Sequence, residues 1–280
     1  VGLMRAVGAV AIATGRAGIS SSAVMHRLLA YAAAFDLPVV THAEDAALTA
    51  GASATDGETA TRLGIPSAPA IAEALAVARD VRLAEATGAH LHIRMVSTAD
   101  SIEIVARAKD RGVNVTCGTS PAHLLLNDSS ITGFRTFARL SPPLRSEDDR
   151  LATVAALRDG TIDLVASGHD PRTQEEKRLP FTQAAPGMAA AATLMPLTLA
   201  ALGDGDTVRR LVETLSAAPA RIFGLPGGAL AKGGPADLTL FDSGRGWRID
   251  AGADNTPFDR LPVTGRVAMT IKGGEIAYRA

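Results

Sequence analysis

Short apolar, β-branched runs alternate with long helical segments along most of this chain, and that alternation limits the folds open to it more than any other feature. GAVAI (8–12), LPVVTHAED (37–45), HLHIRMVS (90–97), VNVTCG (113–118) and TIDLVASGHD (161–170) read as buried strands. Between them lie SSSAVMHRLLAYAAAF (20–35), APAIAEALAVARDVRLAEATG (68–88), TADSIEIVARAKDRG (98–112) and SEDDRLATVAALRDG (146–160), with apolar residues at helical spacing, Ser or Thr able to cap several starts, and Gly at several ends. This order predicts an α/β protein of parallel strands joined by right-handed helical crossovers. No G-x-G-x-x-G follows a strand, which argues against a dinucleotide-binding open sheet. The polar residues cluster just past the strand C-termini, where a TIM barrel keeps its chemistry. Five strands do not close an eight-stranded barrel, so further strands are expected ahead of Val1.

Three more helices follow, in AAATLMPLTLAAL, DTVRRLVETL and APARIFGL, and from Gly227 the texture changes to the β-rich runs ADLTLFD, RVAMTIKGG and EIAYR. We therefore divide the chain into a partial barrel over 1–225 and a β segment over 226–280. Charge is balanced at 28 Lys and Arg against 29 Asp and Glu, which excludes a nucleic-acid footprint or a polybasic membrane patch. A hydrophobic share of 47% speaks against disorder, and only 4% aromatics implies a core of small aliphatic side chains. The single cysteine, Cys117, has no internal partner, which fits a reducing cytoplasm; no apolar run reaches the roughly 20 residues of a membrane span. The opening VGLMRAVGAVAIATG lacks the parts of a signal peptide and reads as structure, and with no initiator Met the chain is expected to be a piece of something longer.

The ordered set THAED, LHIRMVST, AKDRGVNVTCGTSPAHLLL, LSPPLRSEDDR, DGTIDLVASGHDP, EEKRLPF, AAPGM, PARIFGL, GGPADLTLFD and NTPF resembles the C-terminal two-thirds of a class I dihydroorotase. The resemblance implies an amidohydrolase-type TIM barrel, here with strands four to eight, and part of a composite β-sandwich. It also implies interconversion of N-carbamoyl-L-aspartate and L-dihydroorotate. Such chemistry uses zinc-type metals because a bound cation polarises an unreactive amide carbonyl and acidifies water. In the family, ligands come from an H-x-H on the first strand, an acid or carbamylated lysine after the fourth, histidines after the fifth and sixth, and an aspartate after the eighth that is also the base. The H-x-H would precede Val1.

At the four readable positions this sequence departs from the pattern. After the fourth strand it has Thr14 or Gly15; after the fifth it keeps His42, with Glu44 and Asp45 beside it; after the sixth the second histidine is Met95; after the eighth the aspartate is Gly168. Asp170 lies two residues on, some 6 to 7 Å along an extended strand, too far to serve as the base. No catalytic residue is intact on this reading, and His42 is a vestigial ligand. His90 and His92 form an H-x-H at the start of a strand, on the stability face, and read as core residues; His123 reads as a structural hydrogen-bonding group, His26 as surface, and Cys117 as a small buried residue. Pro186 and Gly187 match the loop over the substrate ring, though the glutamate expected beyond them is Ala192. Ser141 replaces an asparagine before Pro142, Pro143, Leu144 and Arg145. Arg172 replaces a substrate-contacting histidine and reads either as a solvated cation or as a contact for a carboxylate or phosphate.

The expectation is a degenerate, non-catalytic dihydroorotase homologue needing no cofactor. The resemblance to inactive family members implies a cytoplasmic, oligomeric subunit that supports aspartate carbamoyltransferase. The alternative is an active, zinc-dependent dihydroorotase, or a related cyclic amidohydrolase such as allantoinase or hydantoinase.

Overall fold

A computed structural model describes residues 1–280 except 204–206, 251, 253 and 254. Helix α1 (Gly2–Ala6) precedes β1 (Ile12–Ala13), α2 (Ser22–Ala33) and β2 (Val39–Thr41). A small excursion, β3 (Ala54–Thr55), α3 (Glu58–Leu63) and β4 (Ser67–Ala68), leads to α4 (Ile71–Thr87), β5 (Leu91–Ile93), α5 (Ala99–Asp110) and β6 (Val115–Thr119). Then come α6 (Pro121–Leu125), α7 (Glu147–Asp159), β7 (Leu164–Val165), α8 (Gln174–Arg178), α9 (Leu194–Leu202), α10 (Thr207–Val212) and α11 (Ala218–Phe223). Two long strands, β8 (Leu238–Arg248) and β9 (Pro262–Lys272), and the shorter β10 (Glu275–Arg279) close the order.

The helices begin and end where side-chain chemistry tells them to. Ser21, Thr98 and Ser146 accept hydrogen bonds from the first-turn amides of α2, α5 and α7. Helix α8 opens with a capping box between Thr173 and Glu176, and Gly88 and Gly160 end α4 and α7 in the left-handed conformation.

The main sheet runs β1-β2-β5-β6-β7, all parallel, with registers such as Ile12 beside Val39, Val39 beside Leu91 and Leu91 beside Val115. Its order never reverses, so there is no topological switch point of the kind an open dinucleotide fold uses, and the sheet curls in the manner of a barrel. All five C-terminal ends therefore lie on one rim. Val39, Leu91, Ile93, Val77, Val105 and Leu157 fill the space between sheet and helices. Each such side chain contributes about 1.5–3 kcal/mol by burial. A second apolar cluster, with Leu140, Leu144, Phe181, Met188 and Phe258, lies under the rim loops and reaches Ile249 and Val263 beside the antiparallel sheet β10-β9-β8.

One reading of the sequence needs correction, and one segment carried no reading. GAVAI was expected to be a strand over 8–12, but pairing starts only at Ile12, whose amide donates to Pro38 while Thr14 donates to Val40; the preceding residues have no parallel partner and residues 2–6 turn as helix instead. The segment between β2 and α4 carries the β3–β4 pair and α3, which two-residue strands give no periodicity to announce. The run DTVRRLVETL begins at Asp206, which lies outside the described residues; from Thr207 it is helical and passes through a π-helical turn at Glu213–Ala217.

Candidate functional site at the barrel mouth

The parallel strands deliver Thr14, His42, Met95, Ser120 and Gly168 to the same rim, each within three residues of its strand's end. His42 is nearly buried and both of its ring nitrogens are engaged. Nε2 lies 2.7 Å from Glu44 Oε2, and Nδ1 lies 3.2 Å from a terminal nitrogen of Arg94. A guanidinium only donates, so Nδ1 accepts from Arg94 and Nε2–H donates to Glu44. No lone pair of this imidazole is left for another partner. Thr14 Oγ1 accepts from the His42 amide at 3.4 Å, and Asp45 caps the following turn through the amides of Ala47 and Leu48.

Met95 is buried at the rim, beside Arg94. Gly168 has a φ of 64°, in the left-handed region. A β-carbon there would find room, 3.5 Å from Ser120 Cβ and 3.8 Å from Met188 Cε, but any residue with a side chain would adopt that backbone at a cost. The cavity bounded by Arg16, Met95, Ser120, His123, Ser141, Gly168, Gly187 and Met188 measures about 20 Å³. That is room for a single water. The donors present do not fit a zinc-type centre: a glycine, a thioether, a threonine and a histidine committed to other bonds supply none of the three free protein ligands a catalytic zinc needs. Among the described residues no group of three His, Cys, Asp or Glu converges as a metal site.

Where the family pattern has metals, this mouth has arginines. Arg16, just after β1, is ion-paired with Asp170, which follows β7 on the opposite edge of the sheet. Arg172 holds the same carboxylate at 2.7 Å and donates through Nε to the Pro186 carbonyl at 2.8 Å. Gly187 takes a φ of 134°, and a β-carbon there would collide with the backbone oxygen and carboxylate of Asp170, so the loop can close on Asp170 only with glycine. Asn255 fastens this arrangement: it accepts from the Arg172 amide at 2.9 Å and donates to the Gly187 carbonyl at 3.0 Å. Burial, then Arg172, then Arg94 push the Arg16 pKa below its usual value.

Behind Glu44 sits a buried charge network that the motif reading passed over. Glu73 on α4 is fully buried and accepts from the backbone amides of Ser97 and Thr98, both hydroxyls, and Arg145 at 3.2 Å. Burial pushes this carboxyl up, but Arg145 and the Ser97 hydrogen bonds outweigh it and hold it below its ordinary value. Arg145 also bonds Ser97 and Thr55 and comes within 3.8 Å of Glu44. The only sequence signal was a glutamate set among alanines on an inward helix face.

His92, His123 and Cys117 are buried, and His90 is partly buried. His92 Nδ1 meets Thr116 Oγ1 at 2.8 Å and its ring stands edge-on to Phe223; burial, with His90 and Lys109, lowers its pKa to about 3. His90 also reaches Thr116, at 3.2 Å. His123 bridges Ser120 and the Pro142 carbonyl, with its pKa lowered to about 4 by burial and Arg145. His26 is exposed, and burial pushes the Cys117 thiol up to about 12. Ala192 is exposed near His169, whose Nδ1 accepts from the amides of Ala190 and Ala191.

Residues 4–277 match the amidohydrolase family profile. The chain is 40% identical over 285 residues to a dihydroorotase of Pelobacter propionicus, covering 100% of this chain and 67% of that protein. It is 41% identical over 283 residues to a dihydroorotase of Lactiplantibacillus plantarum, covering 98% and 66%. It thus spans about two thirds of the length of the curated relatives it matches. Among solved structures, an L-hydantoinase (dihydropyrimidinase) from Arthrobacter aurescens superimposes with a TM-score of 0.86 at 25% identity, covering 99% of this chain and 66% of that one. A D-hydantoinase from Thermus sp. gives 0.84 at 24% identity and shares the fold. With a monotonic parallel sheet, an antiparallel sheet after it, and relatives matched along its whole length, the chain belongs to the amidohydrolase family as a dihydroorotase-like TIM-barrel protein.

Proposed function

We propose that this protein is a non-catalytic dihydroorotase homologue whose barrel mouth is held by arginine–carboxylate bonds instead of metals. The observation that carries the reading is His42, the one retained ligand position, with one ring nitrogen on Glu44 and the other on Arg94. Loss of outer partners alone weakens metal sites 10- to 100-fold, and here the ligand positions themselves have changed. The collapse of the space beside Met95 and Gly168 to about 20 Å³ supports the same reading, since a ring substrate has no room beside them. We propose further that the barrel acts in the cytoplasm as an oligomeric subunit supporting aspartate carbamoyltransferase, the role its resemblance to inactive family members implies.

The competing reading is an active, zinc-dependent dihydroorotase, and it draws support from relatives that carry that name at 40% identity. A paired assay separates the two. Purified full-length protein is expected to turn over no dihydroorotate, while His42→Ala restores carbamoyltransferase activity to cells lacking the protein as fully as the wild type. Robust turnover together with failed rescue would establish the enzyme.

A further inference from the structure

Away from the mouth, a cavity of about 540 Å³ opens on the flank of the barrel, where the end of α6 and an exposed position of α9 meet the loop that leads into β9. Leu125, Leu126, Ala200, Pro257, Leu261 and Pro262 line it, and no residue of the mouth takes part. Its charged residues are Asp259 and Arg260, which lie 3.8 Å apart with both side chains exposed. The result is an apolar hollow with one charge of each sign at its side.

Beside this hole stands a knob. Gly133 and Phe134 form a turn in which both have left-handed backbone, with φ of 75° and 59°. An aromatic residue takes that conformation only at a cost, and here it leaves the Phe134 ring 52% exposed. In a chain with only 4% aromatic residues, a phenylalanine held in solvent forgoes one of the largest burials available. Arg135, next in the chain, donates to the carbonyl of Pro257, a wall of the cavity, at 3.4 Å, so knob and hole occupy the same face. Arg260 is left-handed as well, with a φ of 61°. Two of the three non-glycine residues of this kind among the described residues therefore flank one cavity.

We propose that this face joins two copies of the protein about a twofold axis, with Phe134 of each copy seated in the cavity of the other. A face that carries a knob and a hole side by side is complementary to itself, because a twofold axis sets the knob of one protomer against the hole of its partner and the reverse. The charges obey the same symmetry: Asp259 and Arg260, adjacent and opposite in sign, face their counterparts across the axis as an exposed rim around the apolar centre. Any other protein would have to present its own pocket and its own phenyl-sized projection in the matching order, whereas a second copy already has both. The proposal deepens the oligomeric part of the proposed function by giving it a contact. Its test reads association alone, so it fails or stands separately from the non-catalytic reading.

Sedimentation velocity of the full-length protein over about 1–100 μM tests it, and the wild type is expected to be dimeric at the upper end. Phe134→Gly removes the knob and keeps the left-handed turn without strain; Ala200→Trp fills the hole from an exposed helix position. Each is expected to weaken the dimer about tenfold or more. Mixing Phe134→Cys with Leu261→Cys under mild oxidation is expected to give a covalent dimer with one chain of each, in greater yield than either variant alone, since the single native cysteine, Cys117, is buried. A wild type that stays monomeric, leaving the face to another protein or to an apolar ligand, would overturn the proposal, as would a dimer whose affinity neither Phe134→Gly nor Ala200→Trp changes. Should Ala200→Trp fail to fold, Phe134→Gly and the cross-link still decide.

Discussion

Arg94 stands immediately before Met95, and its guanidinium engages the Nδ1 side of the His42 ring. Restoring ligands one by one therefore meets two obstacles: a cation already bonded to the retained histidine, and a left-handed backbone at Gly168. The double variant Met95→His, Gly168→Asp is expected to show no dihydroorotate turnover, and Gly168→Asp alone to lose about 1–2 kcal/mol in urea unfolding. Glu73 carries more weight than any residue of the mouth, because Glu73→Gln leaves Arg145 buried beside a neutral group. A loss of about 3–5 kcal/mol is expected for it, measured the same way. Cys117, with its thiol pushed up to about 12, is expected to resist iodoacetamide at pH 8 in the native protein and to react once the protein is unfolded.

At the level of elements, the Arg16–Asp170–Arg172 contact ties the loop after β1 to the loop after β7, the two edges of the five-stranded sheet. Those edges, and the outer strands β8 and β10 of the second sheet, leave backbone groups without strand partners, while Leu3, Val7, Ile276 and Tyr278 expose apolar surface. The chain of 280 residues is accordingly expected to self-associate, and a monodisperse monomer by light scattering would contradict this. The sheet was legible in the sequence because its strands are β-branched runs bounded by capped helices, as at Val39–Thr41 before His42 and at Thr98 before α5. The rim placement of Thr14, His42, Met95 and Gly168 was legible because these residues fall at short offsets from strand ends. What the sequence hid was the pairing across the mouth: nothing in a linear string joins Arg16 to Asp170, Arg94 to His42 or Glu73 to Arg145, since those contacts depend on how the barrel curls. The sequence allows Arg172 two roles, and its bonds to Asp170 and Pro186 make it part of a half-buried clamp.

For the whole molecule, buried histidines set the acid side of the stability profile. His92, packed against Phe223, His90 and Lys109, and His123, facing Arg145, Glu73 and Glu44, have folded pKa values of about 3 and about 4, against a usual 6.5. Native protein refuses protons that the unfolded chain accepts, so stability is complete above pH 6.5 and falls as the pH drops toward 4, by about 1.4 kcal/mol per pH unit for each histidine. Glu73 adds to the loss below its ordinary pKa, because the unfolded chain's carboxyl then takes up a proton that the native carboxylate, held by Arg145, refuses. Urea midpoints between pH 8 and 4 check this, and a flat profile would count against the burial described. The central claim, the proposal that arginine–carboxylate bonds hold this mouth instead of metals, is tested most directly by elemental analysis of the full-length protein purified in zinc-supplemented medium and dialysed. The expected result is zinc well below one equivalent per chain, and two tightly held metals per chain would contradict it.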